Sequence, residues 1–137
     1  MNDYKNRLVS EVMRREVRTI APGGLLGEAA RTMCDTDITC LVVDLGDPAR
    51  GFGIITQKDV IGLVFDGLAE LDTTTVGEVM SHPTVTLVPE WNLETAVALM
   101  RMMGVRRAPV VEAGKLVGFL SFTDVFSAAV RAVTTAR

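Results

Sequence analysis

The sequence predicts a mixed α/β fold made of two copies of a β-α-β-β-α unit. The prediction rests on an internal repeat, on amphipathic helical stripes, and on short apolar strands joined by turn residues. With 137 residues, of which 48% are hydrophobic, the chain is long enough to bury a core without disulfides or metals. Its apolar residues are mostly Val, Leu, Ala, Ile and Met, which suits β-branched strands and Ala/Leu/Met helices.

The internal repeat is the strongest of these signals. A Val-x-x-Val-Met motif that begins at Val9 recurs 67 positions later at Val76. Further pairs share this offset: Pro22 and Pro89, Leu26 and Leu93, Ala29 and Ala96, and Met33 and Met100. The offset is 68 for Val43 and Val111, and it is 65 in the last part of each copy, so the length differences lie in surface connections.

Each copy begins with a short β-prone arm that is closed by a proline, at residues 17–20 before Pro22 and at residues 84–87 before Pro89. Such arms predict a brief strand or an extended segment. An amphipathic helix follows in each copy, because apolar residues recur on one helical stripe. The stripes are Leu25, Leu26, Ala29, Ala30 and Met33 in the first copy, and Leu93, Ala96, Val97, Met100 and Met103 in the second. Asn92 is the predicted N-cap of the second helix.

Two apolar strands and a final helix complete each copy. The strands are predicted at residues 40–43 and 51–55 in the first copy, and at 108–111 and 116–120 in the second. Turn residues between the strands of each pair predict hairpins. Final helices are predicted over about 58–68 and 124–133, and Thr75-x-x-Glu78 predicts a capping box in the link between the copies. Fully apolar strands indicate a sheet covered on both faces, so the copies are expected to pack together.

A short motif at the junction of the last strand and the last helix is the main candidate for function. The first motif runs from Gly53 to Asp59 and reads Gly-Ile-Ile-Thr-x-x-Asp; the second runs from Gly118 to Asp124 and reads Gly-Phe-Leu-Ser-x-x-Asp. The first N–H groups of a helix are unpaired and its dipole is positive there, so this junction can hold an anion. The same spacing also describes a capping box that satisfies the helix's own N–H groups. For one motif taken alone, capping is the favoured interpretation.

Several functional classes are disfavoured by composition. The net charge of -3 and the absence of a Lys/Arg run argue against a nucleic-acid partner. No signal-peptide pattern and no long apolar stretch occur, which predicts a cytoplasmic protein without a membrane partner. Cys34 and Cys40 lack C-x-x-C spacing and His82 is the only histidine, so no metal site is expected. No nucleophile–base pair can be assembled either, so an enzyme is not expected.

The motifs of the two copies together resemble those of a known protein family. They are the repeated Val-x-x-Val-Met, the proline before an amphipathic helix, the Gly-Val-Arg-Arg-Ala-Pro-Val-Val segment at 104–111, and the repeated Gly-h-h-Thr/Ser-x-x-Asp, where h is apolar. This set resembles the CBS domain, named after cystathionine β-synthase, and two such domains in tandem form a Bateman module. The resemblance implies CBS repeats at residues 8–70 and 75–133, packed with pseudo-twofold symmetry.

The resemblance also implies two related clefts that bind an adenosine-containing ligand, such as AMP, ADP, ATP or S-adenosylmethionine. In that pattern the Asp accepts hydrogen bonds from the ribose hydroxyls, and the Thr or Ser hydroxyl contacts the α-phosphate. The matching residues are Thr56 and Asp59 in the first copy, and Ser121 and Asp124 in the second. The chemistry is reasonable in itself, since a carboxylate suits a vicinal diol and a hydroxyl beside free helix N–H groups suits a phosphate oxygen.

Arg106 and Arg107 lie where similar proteins often place a basic residue that faces the phosphates. A guanidinium grips phosphate oxygens with two parallel N–H bonds, although a solvated arginine pair is an equal alternative. The first copy has Thr39 and Cys40 at these positions. One cleft is therefore expected to lack its basic partner.

The extended arms match family positions that line an adenine pocket through backbone hydrogen bonds and apolar contact. The residues concerned are Val17 and Arg18 in the first copy, and Thr84 and Val85 in the second. Plain strand pairing would explain each of them as well.

The favoured function is a regulatory, non-catalytic module that senses an adenine nucleotide and needs no cofactor. Its output is expected to pass to an effector protein or through self-association as a homodimer. The alternative is a structural or dimerisation module with empty clefts, whose motifs only cap helices. Because the second copy carries the arginine pair, Ser121 and Asp124 are the first place where a ligand is expected.

Overall fold

The computed structural model describes residues 3–135 of the chain, which divide into two compact units. Residues 18–84 form the central unit, named for its place in the sequence. Residues 3–17 and 85–135 form the terminal unit. The chain passes from one unit to the other after Val17 and again after Thr84, so each unit contains elements of both sequence copies.

The helices and strands follow one another in the order that the repeat predicts. A 3-10 turn at Tyr4–Asn6 precedes α1 (Val9–Val12), β1 (Thr19–Ile20), α2 (Leu26–Thr36), β2 (Cys40–Asp44), a 3-10 turn at Pro48–Arg50, β3 (Phe52–Thr56), α3 (Gln57–Phe65), α4 (Val76–Val79), α5 (Leu93–Met102), β4 (Arg107–Glu112), β5 (Lys115–Ser121) and α6 (Phe122–Thr135). The mixed α/β fold with two repeats is confirmed. The Val-x-x-Val-Met motifs, left unassigned by periodicity, form the one-turn helices α1 and α4.

The central unit contains a three-stranded sheet in the order β1-β2-β3. Strand β1 runs parallel to β2, and β2 and β3 form the predicted antiparallel hairpin, in which Cys40 lies opposite Thr56. The core is formed by Leu26, Ala29, Met33, Leu41, Val43, Leu45, Ile55, Val60, Ala69 and Val76. Since burial of one large aliphatic side chain stabilises a fold by roughly 1.5–3 kcal/mol, this cluster is the main source of the unit's stability.

The terminal unit repeats this arrangement around the antiparallel hairpin of β4 and β5, in which Arg107 lies opposite Ser121. A single parallel bridge between Leu87 and Val110 takes the place that β1 has in the central unit. The core is formed by Val9, Met13, Leu87, Leu93, Ala96, Met100, Ala108, Val110 and Leu120. Val9 and Met13 of the first sequence copy thus pack on the helix and hairpin of the second, as Val76 of the second packs on those of the first.

The predicted caps of two helices are present. The Asn92 side-chain oxygen accepts a hydrogen bond from the N–H of Thr95 at 2.9 Å, as expected of an N-cap. Glu78 accepts from the N–H of Thr75 at 3.1 Å and from the Thr75 hydroxyl at 2.8 Å. Both contacts join residues three positions apart, so the sequence spacing alone was sufficient to predict them.

Two helix bounds differ from the periodicity. Helix α3 ends at Phe65 rather than near Leu68, because Gly67 adopts a φ of 73° and turns the chain out of the helix. Helix α6 starts at Phe122, two residues before the expected Asp124. Among the helices of residues 3–135, none combines the length and the apolar character that a membrane crossing requires.

Candidate functional site

In both units the motif runs without interruption from a hairpin strand into a helix. Strand β3 ends at Thr56 and α3 begins at the next residue; β5 ends at Ser121 and α6 begins at the next residue. The predicted strand-to-helix junction is confirmed in each copy. The hydroxyl residue therefore lies beside the first N–H groups of its helix, which have no partner within the helix.

The glycine of each motif allows a neighbouring segment to approach the strand closely. A Cβ at Gly118 would lie 2.9 Å from the carbonyl oxygen of Arg14, and a Cβ at Gly53 would lie 3.3 Å from that of Ser81. These contacts accompany antiparallel bridges made by the residue that follows each glycine. Close packing of the chain after α1 and α4 is thus the reason for glycine at these positions.

Thr56 and Asp59 form a reciprocal capping box at the start of α3. The Thr56 hydroxyl oxygen accepts from the Asp59 N–H at 3.1 Å, and Oδ2 of Asp59 accepts from the Thr56 N–H at 3.1 Å. Among the residues that the structure describes, none donates to Oδ1 of Asp59, and none accepts the Thr56 hydroxyl hydrogen. Capping is therefore observed here, yet it leaves Oδ1 of Asp59 as an unused acceptor and the Thr56 hydroxyl hydrogen as an unused donor among the described residues.

Ser121 and Asp124 form the same box at the start of α6, with additional hydrogen bonds. The Ser121 oxygen accepts from the Asp124 N–H at 3.2 Å. Oδ2 of Asp124 accepts from both the N–H of Ser121, at 3.2 Å, and its hydroxyl, at 2.9 Å. Oδ1 of Asp124 accepts from Nε of Arg14 at 3.0 Å. The Asp124 side chain is only 12% exposed, whereas that of Arg14 is 67% exposed.

Sequence reasoning missed Arg14 as part of this site. The residue follows directly after Met13, and its counterpart after Met80 is Ser81. An arginine in one copy opposite a serine in the other was the one feature of the sequence that pointed to this position. It was uninformative without the fold, because Arg14 and Asp124 lie 110 positions apart in the sequence.

The predicted basic pair lies next to the second motif. Arg107 is half-buried and opposite Ser121 in the hairpin, and the carbonyl of the exposed Arg106 accepts from the first N–H of α6 at 2.9 Å. Cys40 takes the same register opposite Thr56. The difference in charge between the two sequence copies is therefore located directly at the motifs.

The four predicted arm residues are not gathered in one unit. The carbonyl of Arg18 accepts from β2 at 3.1 Å, and the N–H of Thr84 donates to β3 at 3.0 Å, both in the central unit. Val17 ends the first segment of the terminal unit, and Val85 packs against that unit's core. Strand pairing, which was the alternative interpretation, accounts for the backbone contacts of Arg18 and Thr84.

Two glutamates away from the motifs have shifted pKa values. A hydrogen bond with Glu90, and repulsion from the same carboxylate, raise the pKa of Glu112. Hydrogen bonds from the backbone and the hydroxyl of Thr75 lower the pKa of Glu78. Within residues 3–135, no group of three or more His, Cys, Asp or Glu side chains is placed to hold a metal ion.

Comparison with known proteins identifies the two copies. The model of the CBS domain matches residues 9–66 and 76–131. The CBS domain-containing protein YhcV of Bacillus subtilis is 32% identical over 117 residues, which cover 85% of this chain and 81% of that protein.

Other relatives are longer than this chain. A protein from Methanopyrus kandleri is 32% identical over 118 residues, and the match spans 60% of its length. The inosine-5'-monophosphate dehydrogenase of Korarchaeum cryptofilum is 32% identical over 113 residues, and the match spans 22% of that enzyme. Sequences of this kind therefore occur both in CBS-only proteins and as parts of enzymes.

Solved structures share the fold over most of the chain. The crystal structure of CBSX2 in complex with AMP has a TM-score of 0.75 and 28% identity, and the match covers 91% of this chain and 97% of that one. The hexameric CBS-CP12 protein from bloom-forming cyanobacteria has a TM-score of 0.79 and 28% identity, with 87% and 69% of the two chains covered.

Proposed function

Because this chain belongs to the CBS domain family as a tandem pair, we propose that it is a regulatory module that binds an adenine nucleotide and catalyses no reaction. The observation that carries the proposal is the duplicated motif, which twice places a hydroxyl and a carboxylate at the start of a helix. A CBS protein of similar length and 28% identity has been crystallised with AMP, which supports an adenosine ligand.

The chemistry of the first motif fits such a ligand. A ribose diol offers two O–H donors, and Asp59 is an acceptor whose Oδ1 is not used by any described residue. A phosphate oxygen would accept the Thr56 hydroxyl hydrogen and would lie near the positive end of the α3 dipole. The ligand would thus use the carboxylate oxygen and the hydroxyl hydrogen that the capping box does not use.

The residues beside the second motif supply a guanidinium at the position that Cys40 takes beside the first motif. We assign Arg107, with Arg106 beside it, to the phosphates, because it is half-buried and opposite Ser121. The arm residues Val17, Arg18, Thr84 and Val85 are assigned to the adenine pocket on the family pattern. With Cys40 in place of an arginine, the first motif is suited to AMP rather than to a triphosphate.

Titration calorimetry with AMP, ADP, ATP and S-adenosylmethionine tests the proposal. Binding of at least one of them is expected, with loss of a binding event in Asp59→Asn or Asp124→Asn. Asp66→Asn is the matched control, since this exposed residue lies at the end of α3, away from the motif. A folded wild-type protein that produces no heat with any of the four ligands would contradict the proposal.

Self-association is a second candidate function, and exposed apolar stripes favour it. Side chains at i, i+4 and i+7 are exposed along α3 and the residues after it, and the same spacing recurs along α6. The stripes are Ile61 (55%), Phe65 (84%) and Leu68 (72%), and Phe126 (70%), Val130 (43%) and Val133 (41%). Exposed apolar surfaces of this kind commonly mark protein contacts, and one CBS neighbour is hexameric. A homodimer or a contact with an effector protein would cover them.

A further inference from the structure

We propose that Arg14 closes the second motif, meaning that its ion pair with Asp124 hinders ligand binding there. A nucleotide then binds first at Thr56 and Asp59. This inference rests on the proposed function, and it reverses the expectation that the second motif is occupied first. Two differences between the motifs support it. One is the number of hydrogen bonds that the motif side chains already make, and the other is the residue that follows each Val-x-x-Val-Met motif, which is Arg14 in the first copy and Ser81 in the second.

The two aspartates differ in the acceptor capacity that they have left. A carboxylate has about four lone-pair positions. Asp59 uses one of them, for the Thr56 N–H, and Oδ1 accepts nothing from residues 3–135. Asp124 accepts from the Ser121 N–H, the Ser121 hydroxyl and Arg14, which together involve both oxygens. A ribose diol can therefore bind Asp59 directly, whereas on Asp124 it must replace existing donors.

The hydroxyl groups differ in the same direction. The Ser121 hydroxyl donates its hydrogen to Asp124 at 2.9 Å. Within residues 3–135 the Thr56 hydroxyl only accepts, from the Asp59 N–H, so its hydrogen is available for a phosphate oxygen. In the first motif, the described residues thus leave one carboxylate oxygen and the hydroxyl hydrogen unused. In the second motif, the hydroxyl donates to the carboxylate.

Arg14 and Ser81 occupy equivalent positions in the two units. The N–H and carbonyl of Arg14 pair with Phe119, and those of Ser81 pair with Ile54, in each case the residue after the motif glycine. From this matched position the arginine reaches Asp124, and its N–H group donates to a carboxylate that is only 12% exposed. A serine side chain is too short and uncharged to act in the same way on Asp59. The ion pair that is present only at the second motif of the described residues is therefore encoded in one aligned residue, Arg14 in place of Ser81.

Removing Arg14 should open the second motif, and adding an arginine at position 81 should close the first. Calorimetry with AMP is expected to show one tight site in the wild type, lost in Asp59→Asn. Arg14→Ser should reveal a second binding site or raise the affinity of a weak second site by about tenfold. Arg14→Gln should have the same effect, because it removes the positive charge that pairs with Asp124. Ser81→Arg should weaken the first site by about tenfold. Arg15→Ser is the control, because the side chain of this exposed neighbour donates to the carbonyl of Ser10 and, among the described residues, to no motif side chain.

The outcomes separate this inference from the proposed function. Two equal sites in the wild type that Arg14→Ser does not change, or a tight site lost in Asp124→Asn and retained in Asp59→Asn, would overturn the closure and leave nucleotide binding intact. Weaker binding in Arg14→Ser would show that Arg14 holds the phosphate rather than excluding the ligand. If neither the wild type nor Arg14→Ser bound a nucleotide, both proposals would be overturned, and binding by Arg14→Ser alone would overturn the assignment of the first site to Thr56 and Asp59. Thermal melting confirms that each variant is folded.

Discussion

Thr56 and Asp59 each accept a hydrogen bond from the other's backbone N–H, both at 3.1 Å. The same two side chains are those that the family pattern assigns to a nucleotide. Their hydrogen bonds stabilise the start of α3, so a substitution at either position is expected to affect folding as well as binding. The two effects can be separated by measuring stability with and without ligand.

Thr56→Ala is expected to lower the free energy of unfolding by about 1 kcal/mol, because an N-cap acceptor for the Asp59 N–H is lost. Asp59→Ala should cause a similar loss and also abolish the rise in melting temperature on addition of AMP. Urea denaturation measures the first effect and thermal shift the second. Thr73→Ala, in the exposed turn between α3 and α4, is the control. Retention of the AMP-induced shift in Asp59→Ala would show that Asp59 caps the helix without binding the nucleotide, whereas the absence of any shift in the wild type would favour the purely structural module.

Gly118→Ala is expected to destabilise the protein by roughly 1–3 kcal/mol, the usual cost of forcing an extra methyl into a packed region. The new Cβ would lie 2.9 Å from the carbonyl oxygen of Arg14 and against the sulfur of Met13. The matched control is Gly62→Ala, since no atom lies within 4 Å of a Cβ there and the residue is inside α3. This control should stabilise the protein by about 0.5–1 kcal/mol. Equal unfolding midpoints for both variants would refute the packing account of the motif glycine.

Glu112→Gln is expected to raise the melting temperature at pH 7 and to have no effect well below pH 4.5. The pKa of Glu112 is raised from 4.5 by the hydrogen bond with Glu90 and by repulsion from it. The folded state thus binds the proton more strongly than the unfolded state, and stability falls as the pH rises through the window above 4.5. Glutamine mimics the protonated form and removes this loss. Melting curves from pH 3.5 to 7.5 measure it, with the exposed Glu16→Gln as control; a difference that grows toward acid pH would be the opposite sign.

Phe65→Ser and Phe126→Ser are expected to weaken self-association without lowering stability. Both phenylalanines are largely exposed in the single chain, at 84% and 70%, so the substitutions remove little buried surface. Sedimentation velocity over a range of concentrations should show a shift toward monomer in each variant. Ala98→Ser, on the exposed face of α5, is the control. A wild-type protein that stays monomeric at all concentrations would refute the homodimer, and the apolar stripes would then be assigned to contact with an effector protein.

The fold and the motifs could be predicted well because their signals are local. Helical stripes, strand runs and turn residues act over a few positions, and duplication doubled each signal. The capping boxes at Thr56 and Ser121 join residues only three positions apart, so their spacing was visible directly. The roles of the arginines and of the arm residues in ligand binding stay predictions.

The two repeats, the order of their helices and strands, and the capping boxes follow from the amino-acid sequence, because each depends on neighbours along the chain. The three-dimensional fold was needed to show that Val9 and Met13 pack in the core of the unit that holds the second hairpin. The fold was also needed to show that Arg14 pairs with Asp124, a contact across 110 positions. Contacts at this separation depend on where the whole chain returns, which no local pattern specifies. The two motifs share one Gly-h-h-Thr/Ser-x-x-Asp pattern, and this long-range contact makes them differ in the hydrogen-bonding capacity that they retain for a ligand.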